Sequence, residues 1–192
     1  MAYNYGEEIS YDYHLIKPGD FTALQAFSCG NKKLDKFIHE ELIVDMEVNT
    51  EDGLPFKVED TTTRKIIGVV SLAASGIIFK LDNYTHVLPA IKIDVFAIDK
   101  EYQKLHYDKE SENSDEHYYF SDDVMGTFIK HCRDIAEEKA VAHYIVLYAD
   151  KEAKRFYVRN YFNDFAEYMV KEKNMEIEAN DPMYMKIDWN QV

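Results

Sequence analysis

Apolar positions along this chain alternate between a period of two and a period near three and a half, and the switches mark out its elements. Tyr11 to Lys17 alternates loosely and predicts a first strand, closed by Pro18-Gly19. From Asn31 the apolar residues Leu34, Phe37, Ile38, Leu42 and Met46 recur at helical spacing, and Asn31 itself is a good N-cap because its side chain accepts from an orphan backbone N–H. After a turn at Glu51-Asp52-Gly53, the segments Phe56 to Asp60 and Lys65 to Phe79 predict two antiparallel strands around the polar turn Asp60 to Arg64. Gly68 and Gly76 inside the second strand predict a bulge or a close backbone approach. Leu88 to Asp99 alternates again, with Ile91, Ile93, Val95 and Ala97 on one face and Lys92, Asp94, Phe96 and Ile98 on the other.

Tyr102 to Phe120 breaks the pattern. It has no clear period, and between His106 and Tyr118 it carries five acidic residues and one lysine, which predicts a solvated loop with gating of a substrate as the functional alternative. Ser121 is then expected to cap an amphipathic helix whose stripe is Val124, Met125, Phe128, Ile129, Cys132, Ile135 and Ala136. Tyr144 to Tyr148 is an apolar strand. It passes through a polar turn at Ala149 and Asp150 into a short helix with Ala153, Phe156, Tyr157 and Tyr161 on one face. Phe165 to Val170 and Met183 to Ile187 predict the last two strands, separated by a charged connection over Lys171 to Asp181. The order is that of an α/β protein with a mixed, mostly antiparallel sheet flanked by helices, in one domain spanning residues 1–192 with an irregular acidic insertion at about 104–120.

Composition narrows the function classes. With 46% hydrophobic residues in 192, the chain can bury a sizeable core. Its apolar runs are interrupted and too short to span a bilayer, and no basic-then-apolar leader opens the sequence, so a cytoplasmic protein is expected. Two cysteines, Cys29 and Cys132, fit reduced thiols better than a disulfide. The seven histidines show no ligand spacing, so no metal is expected. A net charge of −14 disfavours nucleic acid as a direct partner, although Lys151, Lys154, Arg155 and Arg159 could form a small basic patch.

Four segments carry a family resemblance. The stretch A-x-x-F-Y-x-x-N-x-F, read from Ala153 to Phe162, resembles the last conserved segment of the GNAT acetyltransferases. FSCGNKKLDKFI, residues 27–38, is similar to the entry segment of GNAT proteins related to the tRNA-acetylating toxins, and RKIIGVVSLAASGI, residues 64–77, to the family's hairpin strand. LPAIKIDVFAIDKEYQ with the amphipathic helix after it resembles the acetyl-CoA strand and its helix.

The resemblance implies a single-domain GNAT fold and direct transfer of an acetyl group from acetyl-CoA to an amine. By this likeness, Val95, Phe96, Ala97 and Ile98 would bind the pantetheine arm through their backbone. Gln103, Lys104 and Ala153 would add cofactor contacts, and Tyr157 would protonate the departing thiolate. Asp94 is the candidate base for the amine, directly or through water. Asp99 reads first as a strand-ending turn carboxylate, Asn160 as a helix end, and Ser71 and Ser75 as sheet residues near the acceptor cleft.

One departure from the family stands out. Its pyrophosphate loop has the form Q/R-x-x-G-x-G/A; here Gln103 holds the first position, but Lys104, His106 and Asp108 follow where glycines are usual, and the next helix opens with Asp122 and Asp123. The acidic surface suits a cationic acceptor, an amine-bearing small molecule or a basic protein side chain. Two other readings stay open: a GNAT-shaped binding protein without catalysis, which the missing glycines support, and a toxin-like tRNA acetyltransferase, which residues 27–38 suggest and the charge opposes.

Overall fold

The computed structural model describes residues 9–42, 44, 53–81, 84–107, 117–165 and 180–187. They gather into two compact units, one of residues 1–71 with 95–124 and one of 72–94 with 125–192. Two long strands pass through both.

In the first unit, β1 (Tyr11–Leu15) pairs antiparallel with a strand that begins at Leu54, from Tyr11 opposite Asp60 to Leu15 opposite Phe56. The chain between them makes a 3-10 turn at Pro18–Asp20, a single helical turn α1 (Phe21–Leu24), and α2 (Lys32–Lys36), which continues as a π-helical turn over Phe37–Glu41. Asn31 caps α2 as its sequence predicts: its Oδ1 accepts from the amides of Lys33 and Leu34 at 3.1 and 3.3 Å. The apolar side of this segment closes the unit's core, where Ile16, Leu24, Phe27, Ile38 and Leu42 meet Ile66, Val69, Val95 and Ala97. The returning strand is β2 (Leu54–Asp60), followed by β3 (Ile66–Leu81) and β4 (Tyr84–Ile98), adjacent in that order. Gly68 is a close approach: a Cβ there would come within 3.2 Å of both Val58 and Ile98.

The helix α3 (Phe120–Glu138) starts in the first unit and runs into the second. Val124, Met125, Phe128, Ile129, Cys132 and Ala136 are buried, which is the stripe expected from the sequence with Ile135 at its margin. The helix does not start on a Ser121 cap. Phe120, fully buried, already lies in its first turn, and the amides of Asp122 and Asp123 both donate to Tyr119 O.

In the second unit, β5 (Tyr144–Asp150) lies parallel to β4. After it come α4 (Lys154–Arg159), the two-residue β6 (Asn163–Asp164) and β7 (Asn180–Lys186). β7 pairs antiparallel with β5 along its whole length and with β6 on its other side, so the strand order is β1-β2-β3-β4-β5-β7-β6. The alternation in β4 holds, with Ile91, Ile93, Val95 and Ala97 buried. The strand observed here, Asn163 and Asp164 facing Tyr184 and Met183 of β7, ends just before the one expected at Phe165 to Val170; Phe165 is outside it and residues 166–170 lie outside the described ones. No helix of the described residues is long and apolar enough to cross a membrane.

Candidate active site

Tyr157 is set in place by the way α4 is built. The strand β5 ends in a turn closed by the Asp150 carboxylate, which accepts the Glu152 amide at 3.0 Å, and by Ala153 N–H donating to Asp150 O at 2.9 Å. Six helical residues later the chain leaves in a Schellman turn. Phe162 N–H donates to Tyr157 O at 3.0 Å across Tyr161, which takes the left-handed conformation (φ 68°). The hydrophobic contact that accompanies such turns is made by Phe162 against Tyr157, edge to face with ring centroids 6.0 Å apart. Phe156 meets the same ring edge-on at 5.1 Å.

Tyr157 is therefore clamped by two rings and is 9% exposed. Burial, and after it the Asp150 carboxylate, push its hydroxyl well above the ordinary tyrosine value, so it remains the protonated donor throughout the physiological range. Asn160 ends the helix as expected, its side-chain amide donating to Phe156 O at 2.9 Å. Ala153 stands one residue before α4.

In the same unit the pairing of β4 with β5 ends early. The parallel ladder of β4 and β5 has three pairs, Ala90 with Tyr144, Ile91 with Ile145 and Lys92 with Val146, and stops there. β5 goes on to Asp150 with β7 alongside it, and β4 goes on past Ile93 and Asp94. Lys92, at the last rung, forms an ion pair with Asp94 and places its ammonium 5.7 Å from the Tyr148 ring centre. Asp94 is exposed. Ser71 is buried and Ser75 exposed.

In the first unit, Val95, Ala97 and Ile98 are buried and Phe96 is half-buried. Beyond them Asp99 and Gln103 are engaged in folding. Asp99, 2% exposed, accepts the Glu101 amide at 3.0 Å and pairs with Lys65 at 3.2 Å, the strand-ending role expected of it. Gln103 donates from its one side-chain nitrogen to Cys29 O at 2.7 Å and Ile98 O at 2.8 Å, bracing the end of β4 against the loop before α2. Lys104 is exposed.

The segment that resembles the pyrophosphate loop is closed on itself. The amides of Tyr102 and Gln103 donate to Asp99 O, Leu105 to Tyr102 O, Tyr107 to Tyr118 O and Phe120 to Leu105 O. Residues 108–116 of the acidic insertion lie outside the described ones, but its neck is a short antiparallel contact between His106 and Tyr119. At the helix start, Asp122 accepts the Tyr119 amide at 3.0 Å, and Asp123 accepts the hydroxyls of Tyr11 and Tyr118 at 2.9 and 3.1 Å.

Sequence reasoning did not find these tyrosine donors, because Tyr11 lies 112 residues from Asp123 and only the fold joins them. Nor did it find Asp35, which accepts the Cys29 amide and thiol at 2.8 and 3.0 Å and the Ser28 hydroxyl at 2.9 Å. The local signal there was the S-C-G-N-x-x-x-D spacing, a side-chain acceptor six residues beyond the cysteine.

No family model matches the chain, and no curated protein matches it in sequence. Solved structures do. A bacterial toxin superposes with a TM-score of 0.66 at 17% identity, covering 93% of this chain and 92% of its own. AtaT with a tyrosine-to-phenylalanine substitution, bound to the C-terminus of the antitoxin AtaR and to acetyl-CoA, gives 0.62 at 15% identity over 92% of each chain. AtaT complexed with acetyl-methionyl-tRNAfMet gives 0.63 at 15% identity over 92% of this chain and 95% of that one. At such identities the likeness is one of architecture, and it agrees with the mixed seven-stranded sheet and its helices: this chain has the GNAT fold, in the form shared with those toxins.

Proposed function

We propose that the chain is a cytoplasmic N-acetyltransferase, a single acetyltransferase domain over residues 1–192, that moves an acetyl group from acetyl-CoA directly onto an amine. The observation that carries this is the early end of the β4–β5 ladder after Lys92 and Val146, followed in the chain by a helix that presents a clamped, protonated tyrosine. The neighbouring AtaT structure with acetyl-CoA supports the donor, since this chain shares its fold.

In this reaction the amine nitrogen attacks the thioester carbon, the carbon–sulfur bond breaks, and the sulfur leaves with the bonding pair. Tyr157 supplies the hydrogen bond and then the proton to that sulfur. A buried donor with little water around it stabilises a developing thiolate more than an exposed one does. Asp94 takes the proton lost by the amine, directly or through a water, and Lys92 holds its carboxylate in place. The backbone of Val95 to Ile98 would contact the pantetheine arm, with Ala153 and Lys104 as further cofactor contacts, while Gln103, its side-chain nitrogen held by Cys29 O and Ile98 O, would support that strand end.

The acceptor is an amine. With a net charge of −14, a polyamine-like molecule or a basic protein side chain is favoured. The AtaT complex with acetyl-methionyl-tRNA supports a second acceptor, the α-amine of an aminoacyl-tRNA. Thiol release from acetyl-CoA, followed with a polyamine, a lysine-rich peptide and aminoacyl-tRNA in turn, tests the proposal. Acetylated product with one of them supports it. Absence of product with all three, together with no binding of acetyl-CoA at millimolar concentration in calorimetry, leaves the non-catalytic binding protein in its place. Induced expression in a bacterial host, scored for growth arrest, separates the tRNA acceptor from the other two.

A further inference from the structure

GNAT-fold donors carry a diphosphate, and in an α/β fold a diphosphate is ordinarily received by free backbone amides at a helix N-terminus. Among the described residues, those at the start of α3 do not fit that role. The amides of Glu101, Tyr102, Gln103, Leu105, Tyr107, Tyr119, Phe120, Asp122 and Asp123 all have acceptors within the chain. No glycine lies between Gly76 and Gly126 to let a phosphate approach the backbone. The positive end of the α3 dipole already faces two carboxylates of its own, Asp122 and Asp123, the second held by two tyrosine hydroxyls. The Tyr118 phenol is pushed up to about 12, first by burial and then by Asp123, so it stays a donor and keeps that carboxylate in position.

We propose that the α3 N-terminus repels a diphosphate instead of holding one. The chain then recognises its thioester donor by the pantetheine arm alone, and Asp122 and Asp123 are the residues that set this specificity. This rests on the acetyl-transfer assignment above and adds to it a substrate class: small acyl thioesters without a nucleotide serve as well as acetyl-CoA. The chemical step is unchanged, since the bonds made and broken lie at the thioester and the nucleotide takes no part in them.

Calorimetric titration of the full chain with CoA and with pantetheine tests it. The expected result is affinities within about threefold of each other at low salt, with the CoA affinity rising as salt is added, because screening weakens repulsion. A phosphate-holding site gives the opposite sign. Asp123→Asn keeps one acceptor oxygen, offers the other tyrosine hydroxyl an amide N–H to accept from, and removes one charge. It should raise the CoA-to-pantetheine affinity ratio about threefold. Glu138→Gln at the far end of α3 should leave the ratio unchanged, which separates the local effect from that of the overall charge.

CoA binding more than about tenfold tighter than pantetheine, and weakening with salt, overturns the proposal while leaving the transferase assignment intact. If neither molecule binds, the transferase assignment falls and this inference falls with it. Equal ratios in native protein and Asp123→Asn also overturn it, provided the melting curves show both folded.

Discussion

The start of α3 and the start of α4 are two strand-to-helix passages of one chain, and they treat their polar groups in opposite ways. At α3 nine amides of the described residues before and at the helix start go to the chain's own carbonyls and to Asp99 and Asp122, and aromatic hydroxyls donate to the Asp123 carboxylate. At α4 the turn is brief, the pairing of β4 with β5 ends after three rungs, and the side chain delivered by the helix is a neutral phenol pinned by its neighbours' rings. On the reading proposed above, the chain keeps the chemical passage and closes the anion-binding one. The sheet does not require them to change together, since each is built from its own loop.

The largest effect expected is on the closed passage. Phe120 is fully buried and meets Tyr11 edge-on with ring centroids 5.5 Å apart, next to the hydroxyl that donates to Asp123. Phe120→Ala should cost about 3–5 kcal/mol of unfolding free energy in a urea titration. A cost below about 1 kcal/mol would mean that the passage is not anchored by this ring.

The open passage is tested by chemistry. Tyr157→Phe keeps both ring contacts and removes only the hydroxyl, so turnover should fall about 100-fold, near 2.7 kcal/mol of transition-state stabilisation, with acetyl-CoA affinity unchanged. Equal turnover in the variant removes Tyr157 as the acid. A parallel loss of affinity would instead place the hydroxyl in donor binding.

The two passages were unequally legible in the sequence, for physical reasons. Strand alternation and helix periodicity are local and strong, so β4 with its buried Ile91, Ile93, Val95 and Ala97, the α3 stripe and the Asn31 cap could be read directly. The α4 segment was legible because the turn, the ring clamp and Tyr157 all lie within twenty residues. The α3 start was only half legible. The missing glycines and the two aspartates were visible, but Ser121 looked like the cap because serine is a common one. The residue that wins is Tyr119, whose amide is taken by Asp122 while Phe120 is drawn into the core. Gln103 stood at a ligand position by its motif, yet its amide faces Cys29 and Ile98, a contact set by the fold.

Asp35 offers a mid-sized test of how far the first unit relies on such closed networks. Burial alone would raise its carboxyl, but the thiol and amide of Cys29 and the Ser28 hydroxyl hold it below the ordinary 3.8. A depressed carboxyl stabilises the fold above its unfolded value and loses that contribution as pH falls through the folded one. Asp35→Asn should therefore cost about 1–3 kcal/mol at pH 7, and the difference from native protein should shrink as the pH drops below about 3.8. A constant difference across that window would show that shape, not charge, matters at this position. Burial first and then the same carboxylate push the Cys29 thiol up to about 12, so Cys29 should resist alkylation at pH 8, and replacing Asp35 should relieve that resistance only in part.

The smallest effect contrasts two backbone positions, one in each unit. Among the described residues two non-glycine residues have positive φ, Arg64 at 62° in the turn after β2 and Tyr161 at 68° after α4. Both pay the left-handed cost of a Cβ, but Arg64 returns it through a 2.7 Å ion pair with the buried carboxylate of Glu59, whereas the Tyr161 ring is 82% exposed. Tyr161→Gly should therefore stabilise the chain by about 0.5–1 kcal/mol, raising Tm by roughly 2–4 °C, while Arg64→Gly should leave it nearly unchanged. Strain kept at an exposed aromatic beside the candidate acid has a function only if something binds the ring. Measuring KM for the acceptor in Tyr161→Gly decides this: a rise with kcat unchanged makes the ring an acceptor contact, and no change makes Tyr161 a residue whose one consequence is the shape of the turn that clamps Tyr157.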